Sequence, residues 1–160
     1  MKDFILASTP DDLDAESVQL IGHAERALVH AYAPYSGFSV SAALLLENGV
    51  ILTGTNQENA AYPSGLCAER VALFTLAAQH PGTAVKKMAV VARGQGASVL
   101  TPAACCGACR QVMLEFEQRQ HKPFEVVMLA QEGQWVKAPS AQSLLPFSFN
   151  PDALGAAKIS

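Results

Sequence analysis

The segments that decide the fold read CAER at residues 67–70 and CGAC at residues 106–109. Each segment begins a predicted amphipathic helix, because apolar residues recur at helical spacing after both of them. In the second segment the cysteines are three residues apart, so at the start of a helix their thiols lie on one face. The pattern therefore predicts that two central helices carry thiols that can meet, those of Cys67, Cys106 and Cys109.

Around these two helices the sequence predicts one more helix and five strands. The first helix runs from about Thr9 to Tyr32, with Pro10 in its first turn. Asn48-Gly49 is typical of a hairpin turn, and strand-forming residues occupy residues 38–46, 50–54, 87–92, 124–129 and 134–137. This order of elements predicts an α/β fold in which a five-stranded mixed sheet carries helices on both faces.

Composition indicates one domain that acts on a small molecule. The chain has 160 residues and is 50% hydrophobic without an evident linker, so we expect a single domain over residues 1–160. The net charge is -3 and no Lys/Arg-rich run is present, which argues against a nucleic-acid partner. Residues 1–6 are too short for a signal peptide, and no apolar run approaches the ~18 residues that span a bilayer. We therefore expect a cytoplasmic protein without a membrane partner.

The four cysteines are predicted to be thiols, because the cytoplasm keeps cysteines reduced. Three thiolates can close around one Zn²⁺ and leave its fourth position to water, whose pKa then falls toward ~7. Glu69, two residues after the first of these cysteines, is the candidate that moves the protons of this water. The positive ends of two helix dipoles and the guanidinium of Arg70 would offset the negative charge of the thiolates.

Other interpretations of these cysteines stay open. A lone C-x-x-C pair is often a structural zinc site or a redox pair, although neither of those requires an acid at Glu69. Cys105 precedes Cys109 by four residues, so it could bind the metal in place of Cys106. A buried and inert thiol is the commoner role for a cysteine of this kind.

Together the two cysteine segments resemble the signature of the zinc-dependent cytidine deaminases, the homotetrameric type with three cysteine ligands in the cytidine/deoxycytidylate deaminase family. The likeness extends to AYAPYSGF at residues 31–38, NQENAAY at residues 56–62 and LLPFSF at residues 144–149. It implies the three-layer cytidine deaminase fold and one Zn²⁺ per chain, with Glu69 as the catalytic residue. The implied reaction, part of pyrimidine salvage, is hydrolysis of cytidine or deoxycytidine to the uridine form and ammonia.

The same resemblance implies how the substrate and the subunits are arranged. Phe38 is expected to pack against the nucleoside, while Asn56 and Glu58 bind the ribose 3′-hydroxyl. The backbone at Ala68 is expected to meet the carbonyl of the base. The implied assembly is a homotetramer with shared active sites, in which two aromatic residues reach toward a neighbouring subunit, Tyr62 and Phe149.

Two positions depart from the family pattern. Ser41 stands where these enzymes usually have glycine, and Cys105 stands where they usually have the proline of the P-C-x-x-C motif. We expect both to flank the pocket and to widen or repolarise the space near the exocyclic amine, so that N4-substituted cytidines are admitted. The alternatives are a deaminase of another aminated nucleoside, such as the blasticidin deaminases with serine at the first position, a nucleic-acid deaminase, and a catalytically inert interaction module stabilised by zinc.

Overall fold

The computed structural model describes residues 3–155 as a mixed β-sheet with three α-helices packed on it. The helices are α1 (Ala15–Ala27), α2 (Ala68–Gln79) and α3 (Gly107–Gln120). The strands are β1 (Ile5–Ala7), β2 (Phe38–Leu46), β3 (Ile51–Thr55), β4 (Val85–Gly94), β5 (Glu125–Leu129) and β6 (Trp135–Ala138). They lie in the order β1-β6-β5-β4-β2-β3, with β4 and β5 parallel and the other neighbours antiparallel. Within residues 3–155 no helix is both long and apolar enough to cross a membrane.

The predicted fold class, an α/β sheet with helices on both faces, is confirmed. The described chain has six strands in the sheet instead of the predicted five, because β1 pairs antiparallel with β6, with Ile5 opposite Lys137. Three residues are too few to show a period of two. Their pairing partner is also distant in sequence, so nothing in the local pattern indicated this strand.

The first helix is shorter than predicted. It begins after Asp14, whose carboxylate accepts a hydrogen bond from the Ser17 N–H at 3.0 Å and thereby caps α1. Thr9 instead precedes a separate 3-10 turn at Pro10–Asp12, and a second such turn at Leu28–His30 follows the helix. The two kinds of helix have similar residue spacing, so the sequence pattern merges them into one element.

Strand β2 is buried on both faces because helices cover the sheet on both sides. Its side chains alternate between two cores. Ala42 and Leu44 belong to the core beneath α2 and α3, whereas Ala43 and Leu45 belong to the core beneath α1. This period of two determines which residues of β2 can reach a site on the α2 and α3 side.

Helix α2 packs very close to the sheet at Gly54 of β3. A Cβ atom at this position would lie 2.4 Å from the backbone nitrogen of Ala72 and 2.8 Å from the carbonyl oxygen of Ala68. Both neighbours are backbone atoms that cannot move aside, so glycine is required here. The contact fixes the first turns of α2, and with them Cys67, on the sheet.

A group of charged side chains fixes the start of α1 to the sheet. The ammonium of Lys87, whose side chain is 2% exposed, lies 2.5 Å from an oxygen of Asp14 and 3.0 Å from an oxygen of Glu125. Lys137 lies 2.9 Å from Asp14 and 3.1 Å from Glu125. Partial burial disfavours the charged form of Asp14, but the hydrogen bonds from Lys87, Lys137 and Ser17 outweigh this effect of burial. They hold the pKa of this carboxyl far below its usual range.

Replacing Asp14 with asparagine is expected to lower the free energy of unfolding at neutral pH, because buried Lys87 loses a charged partner. A carboxyl with a depressed folded-state pKa stabilises the fold above its unfolded-state pKa of ~3.9, and this contribution is lost as the pH falls toward the folded-state pKa. The stability difference between wild type and Asp14→Asn should therefore be largest at neutral pH and shrink below pH ~4.

Urea denaturation of both proteins at about pH 7, 5 and 3 measures this difference. Asp11→Asn is the matched control, because Asp11 is exposed on the nearby 3-10 turn. If the difference in free energy of unfolding between wild type and Asp14→Asn does not change with pH, the stabilisation does not arise from charge pairing.

Candidate active site

The cysteines predicted as ligands lie at the starts of two helices that converge. Cys67 is the N-cap of α2 and Cys106 is the N-cap of α3. The sulfur atoms of Cys67, Cys106 and Cys109 all lie within 4.8 Å of one another. The sulfurs of Cys106 and Cys109 are 3.4 Å apart, and the Cys109 N–H donates to the Cys106 sulfur at 3.5 Å. Local hydrogen bonding at the start of α3 thus sets one side of the cluster.

Without a bound metal, the electrostatics of this cluster favour a thiolate at Cys67, while the hydrogen bond to Cys67 and burial raise the pKa of Cys109. Both helices direct the positive ends of their dipoles toward the sulfurs, and the Arg70 guanidinium donates to the Cys67 sulfur at 3.4 Å. The hydrogen bond from the Cys109 thiol, supported by Arg70, outweighs partial burial and lowers the pKa of Cys67 below its usual range. A thiol of this kind is readily deprotonated, which is the form that binds a metal.

The donor set fits one Zn²⁺ per chain. Thiolates are soft ligands of the kind that zinc prefers. The cluster of ligand atoms within the described residues contains the three cysteines and no fourth Cys, His, Asp or Glu side chain. Three protein ligands with one open position are typical of catalytic zinc sites, whereas structural sites are closed by four. The structure brings Cys106 into the cluster, and Cys105 is not part of it.

Glu69, the second residue of α2, is buried beside the thiols. Its side chain lines the adjoining cavity although the residue is only 4% exposed. Burial raises the pKa of its carboxyl above the usual range, and the charge of Cys67 acts in the same direction. Cys105 is also buried, and burial together with the charge of Glu69 raises the pKa of its thiol. Cys105 is therefore a buried, neutral neighbour of Glu69.

A cavity of about 640 Å³ opens beside the cluster. Its volume lies within the range of small-molecule sites. Cys67, Cys106 and Glu69 form one part of its lining. The remaining lining includes both apolar groups and hydrogen-bonding groups, among them Phe38, Val40, Asn56, Glu58, Tyr62 and Val90. The cavity can therefore hold a small ring compound with polar substituents next to the metal ligands.

The predicted sugar ligands are tied to the backbone of the segment before and within β2. Asn56 accepts a hydrogen bond from the Val40 N–H at 2.8 Å and donates to the Phe38 carbonyl at 2.8 Å. Since an amide side chain has two donors and two acceptor lone pairs, one of each remains. Glu58 accepts a hydrogen bond from the Tyr35 N–H at 2.9 Å. Both side chains line the cavity.

The other residues implied by the resemblance differ in whether they line the cavity. Ala68 is the first residue of α2, so its N–H is among those without an intrahelical partner. Tyr62 lines the cavity, and its ring centroid lies 5.9 Å from that of Tyr35. Phe149 does not line the cavity of its own chain, and the residue is 59% exposed.

The two positions that depart from the family pattern do not line the cavity. Ser41 is fully buried and donates to the Gly54 carbonyl at 3.4 Å. Phe38 and Val40 of the same strand do line the cavity, and the alternation of β2 turns Ser41 to the opposite face, beneath α1. Cys105 is a buried neighbour of Glu69. Neither side chain reaches the cavity itself, so each could affect a bound base only through its neighbours.

Two further residues shape the site without having been singled out in the sequence. Ser36 lines the cavity and donates its hydroxyl to Glu58. Arg110 donates to the Cys105 carbonyl at 2.9 Å and to the Leu144 carbonyl at 3.1 Å, which ties the residue before a ligand to the C-terminal segment. The contacts of Ser36 with Glu58 and of Arg110 with Leu144 join segments that are far apart in sequence, so spacing alone does not reveal them.

Known proteins match the sequence over most of its length. The family model for the cytidine and deoxycytidylate deaminase zinc-binding region matches residues 15–123, which include both cysteine segments. A cytidine deaminase of Sporosarcina psychrophila is 47% identical over 98 residues, which are 61% of this chain and 68% of that protein. A probable cytidine deaminase of Dictyostelium discoideum is 38% identical over 139 residues, which are 87% of each chain.

Solved structures share the fold as well. The cytidine deaminase from Burkholderia pseudomallei matches with a TM-score of 0.68 at 42% identity, covering 86% of this chain and 100% of that one. The cytidine deaminase from Mycobacterium tuberculosis matches with a TM-score of 0.66 at 31% identity, covering 86% and 99% of the two chains. The likeness thus extends from the cysteine segments to the whole arrangement of sheet and helices.

Replacing Cys106 with serine is expected to lower the zinc content well below one ion per chain, because a hydroxyl is not deprotonated at neutral pH as a thiol ligand is. Cys105→Ser is the matched control, since it makes the same change one residue earlier, outside the cluster. Metal analysis of the two proteins, purified in parallel with wild type, measures the effect. Full zinc content in Cys106→Ser, or loss of zinc in Cys105→Ser alone, would contradict this ligand set.

Proposed function

This chain belongs to the cytidine and deoxycytidylate deaminase family, and we propose that it hydrolyses cytidine and deoxycytidine to uridine and deoxyuridine with release of ammonia. Its cofactor is one Zn²⁺, for which Cys67, Cys106 and Cys109 supply the ligands. The observation that carries this proposal is the buried carboxyl of Glu69, which lies beside three thiols on the lining of a cavity. A structural zinc site requires neither this acid nor the open position.

Glu69 performs the proton transfers of the proposed reaction. Bound zinc supplies the nucleophile by lowering the pKa of water. As the water oxygen bonds to C4 of the base, Glu69 takes one of its protons and delivers it to N3. Glu69 then carries the second proton to the amine, so that the bond between C4 and the amine nitrogen breaks and ammonia leaves. Burial suits this role, since a carboxyl with a raised pKa can hold a proton between the two transfers.

The substrate side of the cavity suits a nucleoside. Asn56 has one donor and one acceptor remaining and Glu58 is an acceptor, which supports their roles as ligands of the 3′-hydroxyl. A sugar without that hydroxyl would leave these groups unpaired, at a cost of about 1 to 3 kcal/mol per group. Phe38 is proposed to pack against the nucleoside, and the N–H of Ala68 at the start of α2 is suited to a base carbonyl.

We also propose that the single domain over residues 1–160 assembles as a homotetramer that serves pyrimidine salvage in the cytoplasm. Large exposed aromatic side chains support an interface, since Tyr62, Phe147 and Phe149 are 75%, 96% and 59% exposed. In such an assembly Phe149, and with it Tyr62, would contact substrate in a neighbouring subunit. A solution mass of one chain would contradict this arrangement.

The alternatives weighed from the sequence differ in what they require of the site. A catalytically inert interaction module needs the zinc but not the proton-transferring acid at Glu69. A blasticidin-type deaminase needs the acid but not a pair of ribose ligands at Asn56 and Glu58. Glu69, Asn56 and Glu58 all line the cavity, which favours a nucleoside with an ordinary sugar. A nucleic-acid deaminase remains disfavoured by the negative net charge of the chain.

Tolerance for N4-substituted cytidines stays a proposal. Cys105 contacts Glu69, whereas Ser41 lies on the other face of the sheet, so Cys105 is the position through which a difference near the amine would act. Replacing Cys105 with proline, the usual family residue, is expected to change the ratio of kcat/KM between cytidine and N4-methylcytidine. Ser41→Gly also introduces the usual family residue and serves as the matched control. It should leave the ratio of kcat/KM unchanged. The same ratio in wild type and Cys105→Pro would contradict the proposal.

Replacing Glu69 with glutamine is expected to reduce kcat for cytidine by about 10²- to 10⁴-fold, because the amide cannot transfer protons. The fall in ultraviolet absorbance as cytidine becomes uridine measures the rate, and metal analysis of the same protein should still give one zinc per chain. Glu132→Gln, at an exposed turn outside the cavity, is the control and should keep wild-type activity. Wild-type protein with one bound zinc and no activity on any pyrimidine nucleoside would instead favour the inert interaction module.

A further inference from the structure

The carboxylate of Glu58 is held by three donors from a single short segment. Its Oε2 accepts the Tyr35 N–H at 2.9 Å and the Ser36 N–H at 3.2 Å. Its Oε1 accepts the hydroxyl of Ser36. A carboxylate has about four lone-pair sites. Two backbone donors and one hydroxyl therefore leave about one acceptor site free, and it is on Oε1.

The Ser36 hydroxyl is itself held in one orientation. Its oxygen accepts the Phe38 N–H at 3.0 Å, which leaves the hydroxyl proton for Glu58. The segment that carries these groups is closed by the Gly37 N–H, which donates to the Ala33 carbonyl at 3.0 Å. Gly37 has φ = +64°, a left-handed backbone conformation that favours glycine in this turn.

We propose that Ser36 is a positioning residue for the substrate's sugar, because its hydroxyl orients Glu58 so that the free acceptor site on Oε1 faces the cavity and binds a sugar hydroxyl. The two backbone N–H groups bind Oε2 whatever the side chain at position 36, whereas the Ser36 hydroxyl supplies the hydrogen bond to Oε1. Both Ser36 and Glu58 line the cavity. This inference rests on the proposed function, within which Glu58 binds the 3′-hydroxyl.

The charge of Glu58 suits it to accept the sugar hydroxyl. The hydrogen bond from the Ser36 hydroxyl, followed by that from the Tyr35 N–H, lowers the pKa of Glu58 below its usual range. Glu58 is therefore an acceptor without a proton to donate, and it carries a negative charge. Such a group accepts a hydrogen bond from a sugar hydroxyl.

The test compares Ser36→Ala with wild type on cytidine and on 3′-deoxycytidine. In wild type, removal of the 3′-hydroxyl is expected to lower kcat/KM by about 10- to 100-fold. In Ser36→Ala, KM for cytidine should rise about tenfold with kcat within about twofold of wild type, whereas values for 3′-deoxycytidine should change little. Ser36→Thr keeps a hydroxyl and should restore most of the discrimination. Deoxycytidine, which keeps the 3′-hydroxyl, should behave like cytidine.

Several outcomes would overturn the inference. An equal loss of kcat/KM on cytidine and 3′-deoxycytidine in Ser36→Ala would assign the serine a purely structural role. Unchanged discrimination in Ser36→Ala would show that the hydroxyl does not orient Glu58. Both results presuppose a wild type that deaminates cytidine, so they leave the proposed function intact. A zinc-loaded wild type without activity on cytidine would refute the proposed function, and with it the inference.

Discussion

The convergence of two helix starts is the constraint on which the rest of the molecule depends. Three thiolates within 4.8 Å repel one another, and a metal cannot be bound until the chain has brought them together. The positive ends of α2 and α3 and the guanidinium of Arg70 reduce that repulsion. The sheet then fixes the two helices relative to each other, above all where Gly54 allows the backbone of α2 to approach β3. The core beneath these helices thereby has a functional as well as a stabilising role.

The two sides of the cavity are held by different forces. Packing of helices on a sheet positions the cysteines and Glu69, which lie within or next to the hydrophobic core. Hydrogen bonds from side chains to backbone position the sugar side, where Asn56 joins the segment after β3 to the start of β2 and Glu58 joins it to the segment before β2. Packing of this kind changes little with a single exposed substitution, whereas a hydrogen-bonded loop depends on individual polar groups. Substrate selectivity is therefore easier to alter on the sugar side than at the metal.

The sequence predicted what depends on local spacing. The interval between Cys106 and Cys109 places both thiols on one helix start, so the cluster could be predicted before the fold was known. The strand β1 could not be predicted, because its partner β6 lies near the other end of the described chain. The orientation of Ser41 was predictable in principle: Ser41 is an odd number of residues from Phe38, so in one strand the two point to opposite faces. The role of Ser36 depends on a loop that only the folded chain brings to Glu58.

Two glutamates of the same cavity show how the fold separates chemical roles between identical side chains. Glu69 is buried at the start of α2, and burial raises its pKa, which suits a group that takes up and releases protons. Glu58 lies on a loop, and hydrogen bonds led by that of Ser36 lower its pKa, which suits a permanent acceptor. Exchanging the two environments would remove both functions, since a buried Glu58 would tend to bind a proton and an exposed Glu69 would tend to lose one. The site therefore depends on where the chain places each carboxyl, and the residue type alone does not determine its role.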